Sequence, residues 1–178
     1  MWNRFRRRFA AAARRQASGY ELNLGGRRAQ LESVEYGSPA DTRIEIFWKD
    51  LRGFRGADAR LAEGVGPVLS FIVRGIEVMR FDCLGACGHY HVAMVRPDPT
   101  AEIRLWFRER TAPEQVERAA FELERNIDYY LPRNPLRSVR SAQIRRDEHR
   151  SRCSEARAAA LALWERNNTA PRAPESAC

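Results

Sequence analysis

Between residues 42 and 50 apolar and polar side chains alternate: Ile44, Ile46 and Trp48 fall on one face of an extended chain, Arg43, Glu45 and Lys49 on the other. Period two is the signature of a half-buried strand. Two further runs, 68–73 and 76–83, flank Arg74-Gly75. A two-residue loop with glycine predicts a tight hairpin, because Gly75 takes positive φ at little cost. Residues 89–95 and 102–107 form another pair joined by Arg96-Pro97-Asp98-Pro99-Thr100, which is turn chemistry. Residues 20–24 and 29–36 predict an edge hairpin around Gly25-Gly26.

The period then changes. Thr111-Ala112-Pro113-Glu114 is a capping box, in which hydroxyl and carboxylate each satisfy a backbone N–H at a helix start. Val116, Ala120, Leu123, Ile127 and Tyr130 follow at steps of four and three, one stripe of a helix over 112–131 that Pro132 ends. An apolar stripe needs a partner, and the sheet is the obvious one. The expected class is α+β: a mainly antiparallel sheet with one amphipathic helix on one face, plus a basic C-terminal helix. The organisation expected is a basic segment 1–18, disordered or helical; an α+β domain 20–135; an Arg-rich helical segment 137–166, read as a solvated helix; and a disordered tail 167–178.

Charge changes this picture at the ends only. The chain has 178 residues and a formal net charge of +8. Residues 1–28 hold eight arginines against Glu21, and residues 132–172 hold ten against four acids. The middle is slightly acidic. Lys49 is the sole lysine. Basic ends attract nucleic acid or an acidic protein without any base-reading chemistry. No apolar run approaches the ~18–20 residues that cross a bilayer. Arg14 and Arg15 interrupt a secretory core at the N-terminus. The head's composition fits an organelle presequence, and a plain basic amphipathic helix is the favoured reading. Four cysteines are too few for a disulfide scaffold, so the thiols are read as reduced and the protein as cytoplasmic.

The candidate chemistry lies in Arg80-Phe81-Asp82-Cys83-Leu84-Gly85-Ala86-Cys87-Gly88-His89-Tyr90-His91. If Tyr90, Val92 and Met94 face the helix, His89 and His91 point away together. The same parity sends Arg80, Asp82, Arg104 and Trp106 outward, giving an open sheet face of six residues. Strict alternation across the 68–83 hairpin also sends Ser70 and Glu77 inward, which leaves a register flip open. A His-X-His pair presents two imidazoles to one ion, and Cys83, Cys87 or Asp82 can complete a tetrahedral site for zinc or another divalent metal. The spacing Cys-x3-Cys-x-His-x-His matches no common zinc pattern, so ordinary polar residues on a sheet face are the favoured reading.

Gly88-His89-Tyr90-His91 is similar to the first cupin motif, but Val95 and Arg96 stand where its glutamate belongs, and the cupin assignment is not carried over. From Arg80 through the capped helix, over residues 65–135, the chain resembles uncharacterised bacterial proteins of unknown function, which implies no activity, ligand or site. The leading expectation is a non-enzymatic cytoplasmic binding or accessory protein of bacterial type, using the face around His89 and His91. The competing expectation is a metal- or thiol-dependent enzyme at Cys83, Cys87, His89 and His91. A third is a nucleic-acid-associated protein acting through its Arg-rich ends.

Overall fold

A computed structural model describes residues 31–35, 42–52, 61, 63–92 and 103–169. The segments 1–18 and 20–24 lie outside the described residues. Six strands follow one another in space as in sequence: β1 (Leu31–Glu35), β2 (Thr42–Asp50), β3 (Val65–Val73), β4 (Ile76–Asp82), β5 (His89–Val92) and β6 (Ile103–Trp106). Every pairing is antiparallel. Helix α1 (Ala112–Tyr130), the single turn α2 (Arg137–Arg140) and helix α3 (Arg146–Thr169) complete the α+β fold. No helix of the described residues is long and apolar enough to cross a membrane.

Alternation places the core. Ile44 and Ile46 of β2, Leu69, Phe71 and Val73 of β3, and Met79 and Phe81 of β4 turn to one side and are buried against Val116, Ala119, Leu123 and Ile127 of α1. The capping box forms as the sequence predicts: the Glu114 amide donates to Thr111 Oγ1 at 3.4 Å, and the Thr111 amide donates to Glu114 Oε2 at 3.1 Å. The hairpin turn has Arg74 at φ 53° and Gly75 at φ 73°.

The suspected register flip has a different resolution. Phe71 pairs with Met79 but Ile72 pairs with Glu77, so Val78 is an extra residue in β4. This bulge shifts parity by one, as an unmatched residue must. Val78 enters the core, while Glu77 and Ser70 both move to the outer face, where the Ser70 hydroxyl donates to Glu77 Oε2 at 2.8 Å.

The basic segment 137–166 is a core element rather than a solvated helix. Val139, Cys153, Ala156, Ala160 and Leu163 are buried in the same cluster as the α1 stripe. Helix α3 packs on α1, β2 and β3, and it continues through residues 167–169, which the sequence reading assigns to a disordered tail. His149 fastens it: buried Nε2–H donates to the Leu123 carbonyl at 2.8 Å, and the ring lies edge-on to Phe71. Burial lowers the pKa of this imidazole from its usual range, against the opposing Leu123 hydrogen bond. A lowered folded-state value means that the unfolded chain takes up the proton first. His149 therefore leaves stability undiminished above about pH 6.5, and stability falls as pH drops below that toward the lowered value. Chemical denaturation from pH 7.5 to 5 should show this loss, and His149→Gln, which keeps a donor but does not titrate, should remove it. An unchanged pH slope in that variant refutes the assignment.

Candidate metal centre

The outer face of the sheet, away from α1, carries the polar cluster. Strand β4 delivers Asp82 at its last position, a tight turn follows, and β5 opens on His89. Register sets Asp82 opposite His89 and Arg80 opposite His91. On the other side of β5, Trp106 faces His89 and Arg104 faces His91. The six residues expected on one face therefore share it. That face is closed at the cluster, however: Asp82, His89 and His91 are 0%, 2% and 1% exposed. Lys49 and Arg80 close over the carboxylate from neighbouring positions, and the Trp106 indole lies 5.3 Å from the His89 ring.

Asp82 is the hub. Lys49 Nζ donates to Oδ1 at 2.9 Å and Arg80 Nε to Oδ2 at 3.2 Å. Both imidazoles bring Nε2 to the same Oδ2, His89 at 3.2 Å and His91 at 3.3 Å. Burial opposes ionisation of this carboxyl, but Lys49, Arg80 and the histidine contacts outweigh it and hold its pKa well below the usual carboxylate range. Arg80 is balanced in turn by Glu77, Nη1 to Oε1 at 3.3 Å.

The turn between β4 and β5 is built by close backbone approach. A Cβ on Gly66 would lie 2.0 Å from the Cys83 carbonyl oxygen, so the end of β4 crosses directly over β3. Gln115, in the first turn of α1, holds the loop: Nε2 donates to Gly85 O at 2.6 Å and Glu109 O at 2.8 Å, while Oε1 accepts from the Gly85 amide at 3.0 Å. A Cβ on Gly88 would fall 2.1 Å from that Oε1, so any other residue there displaces the Gln115 amide from the loop. The turn leaves the Cys87 carbonyl 2.8 Å from His89 Nδ1.

No family model, curated protein or solved structure matches this chain.

The Cys87 contact fixes the chemistry of His89. A carbonyl oxygen only accepts, so Nδ1 carries the hydrogen and donates. In the neutral ring, Nε2 then aims a lone pair at a carboxylate oxygen. That arrangement is repulsive unless a cation lies between them. A pinned Nδ1–H is the usual outer hydrogen bond of a metal-ligating imidazole. Asp82, His89 and His91 offer ligand atoms that all lie within 4.8 Å of one another and could hold a metal ion. Tetrahedral coordination with metal–ligand bonds of about 2.0–2.1 Å separates ligand atoms by roughly 3.3 Å, matching the two spacings about Oδ2.

The cysteines stand apart from this cluster. Cys83 turns to the helix side, where burial and then the Asp82 charge push its thiol pKa well up. Cys87 packs with Leu51 and Leu84 in a small separate cluster. The expected set Cys83, Cys87, His89 and His91 is thus corrected: the two imidazoles converge with the carboxylate, because one residue of alternation separates Asp82 from Cys83. Lys49 is the member that sequence reasoning missed. Its outward parity and its singularity among the basic residues were the available signals.

Proposed function

We infer that this chain is a metal-binding protein that holds one divalent ion, zinc by preference, on Asp82, His89 and His91. The observation that carries this reading is the Nδ1–H of His89 on the Cys87 carbonyl, which leaves Nε2 as a ligand facing Asp82. Two imidazoles and one carboxylate suit zinc and other late first-row metals. Charge balance supports it further. If a proton alone relieved the His89 contact, that ring would be a third cation beside Lys49 and Arg80, whereas a neutral His91 with its hydrogen on Nε2 can donate to the carboxylate. One divalent ion relieves the His89 contact and takes the lone pair of either ring.

The role is binding rather than thiol chemistry, since neither Cys83 nor Cys87 joins the cluster. Three free, buried cysteines among the described residues suit the reducing cytoplasm assumed for this function. A rival reading is a purely structural charge cluster, favoured by the two cations already on Asp82. Metal titration separates the two. Full-length protein stripped with chelator should take up one equivalent of zinc, and cobalt should give visible absorption bands typical of mixed nitrogen and oxygen ligands. His89→Ala with His91→Ala should weaken uptake at least 100-fold. Absence of stoichiometric uptake by the parent chain, or uptake unaltered in the double variant, sinks the proposal in favour of the structural cluster.

A further inference from the structure

The five arginines between residues 145 and 157 are all spent on carboxylates. Arg145 pairs with Glu148, Arg146 with Asp128, Arg150 with Glu124, Arg152 with Glu155 and Arg157 with Glu117. Four others are different. Arg74, Arg133, Arg137 and Arg140, around α2, are exposed, and among the described residues none has a carboxylate partner. The hydrogen bonds that Arg74, Arg133 and Arg140 make go to neutral oxygens. Arg133 Nη1 donates to the Tyr129 carbonyl at 2.8 Å, with its guanidinium 3.9 Å over the Tyr129 ring. Arg140 Nη1 donates to the carbonyls of Asn134 at 2.9 Å and Pro135 at 2.7 Å. Arg74 Nη1 reaches Ser141 Oγ at 3.5 Å, which brings the β3–β4 turn beside α2.

We propose that these four arginines form a surface for the phosphodiester backbone of a nucleic acid. The inference is independent of the metal centre. Each contact above uses one nitrogen of a guanidinium that has five N–H donors. Arg74, Arg133 and Arg140 are therefore held in place while their charge and most of their donors stay available, and Arg137 adds an exposed charge on the same turn as Arg140. Held but uncompensated cations are what phosphate recognition needs, because binding gains from counterion release and loses less side-chain freedom. Arg74 adds to this. It occupies a left-handed turn position, φ 53°, that glycine or asparagine fills at lower cost. Tyr129 stands 56% exposed beneath Arg133, inside the same patch. Asp128, the acid nearest Arg133 in sequence, is already taken by Arg146, and Glu77, the acid nearest Arg74, by Arg80. The surface reads charge, not sequence.

The test uses the full chain and a labelled single-stranded oligonucleotide of about 20 nucleotides, followed by anisotropy from about 50 to about 200 mM salt. Arg74→Gln, Arg133→Gln, Arg137→Gln and Arg140→Gln are combined in one variant. A charge-matched comparator carries Arg145→Gln, Arg150→Gln, Arg152→Gln and Arg157→Gln. The patch variant should lose at least tenfold in affinity, and its log–log salt slope should fall by about 3, while the comparator stays within threefold of the parent. Equal losses in both variants, no loss in the patch variant, or binding to polyglutamate with none to the oligonucleotide overturns the proposal. If circular dichroism shows the fourfold variant unfolded, Arg74→Gln with Arg137→Gln should still cost at least threefold, and no loss there is equally decisive.

Discussion

Replacing Asp82 with alanine should cost about 3–5 kcal/mol of unfolding free energy, because it removes the fully buried anion on which two half-buried cations converge. Asp82 is fully buried and holds Lys49 and Arg80 at once. Urea denaturation in the presence of chelator isolates this electrostatic loss from any effect of metal. Lys49→Met, introduced into the Asp82→Ala chain, should restore part of it, with a coupling on the order of 1–3 kcal/mol in a double-mutant cycle. A loss below about 1 kcal/mol for Asp82→Ala alone contradicts the buried-hub description, since solvated ion pairs have that magnitude.

The second large effect is expected at Gln115, some distance from the ligands. Gln115→Ala leaves the Gly85 amide and the carbonyls of Gly85 and Glu109 without their side-chain partner. Buried groups left unsatisfied cost about 1–3 kcal/mol each; these are half-buried and the Gly85 carbonyl keeps the Gly88 amide, so the total should be about 1–3 kcal/mol. The same change loosens the turn that presents the Cys87 carbonyl to His89. Zinc affinity should therefore fall by roughly 10- to 100-fold, although Gln115 touches none of the three ligands. Stability loss with unaltered zinc affinity means the turn does not orient the imidazole. Gly88→Ala provides an independent check: its Cβ meets Gln115 head-on, so both quantities should move in the same direction.

Much of this architecture was legible in the amino-acid order. Alternation located β2, the β3–β4 hairpin and β5, because a sheet with one packed face imposes period two on the chain. The Thr111 to Glu114 box and the stripe after it marked α1 to within a residue or so. The common face of Asp82, His89 and His91 followed from parity alone. What parity cannot supply is reach across strands. Lys49 meets Asp82 only because β2 and β4 flank β3, which is a fact of strand order. The Val78 bulge was hidden because a single unmatched residue imitates a register flip. Helix α3 was underrated because its buried line, His149, Cys153, Ala156, Ala160 and Leu163, keeps helical spacing with mostly small or polar residues. Those contribute little apolar signal although they let two helices and a sheet approach closely.

Asp82, His89 and His91, the proposed ligands, come from a single antiparallel pair, β4 and β5, joined by one short turn. The cluster therefore closes over only a few residues of chain, and little loop entropy opposes it. Its assembly need not wait for β1 or for helix α3. An ion captured there can act on the rate of folding: zinc should raise the refolding arm of a chevron plot more than it lowers the unfolding arm, and the β4–β5 ribbon becomes the place where the sheet begins to grow.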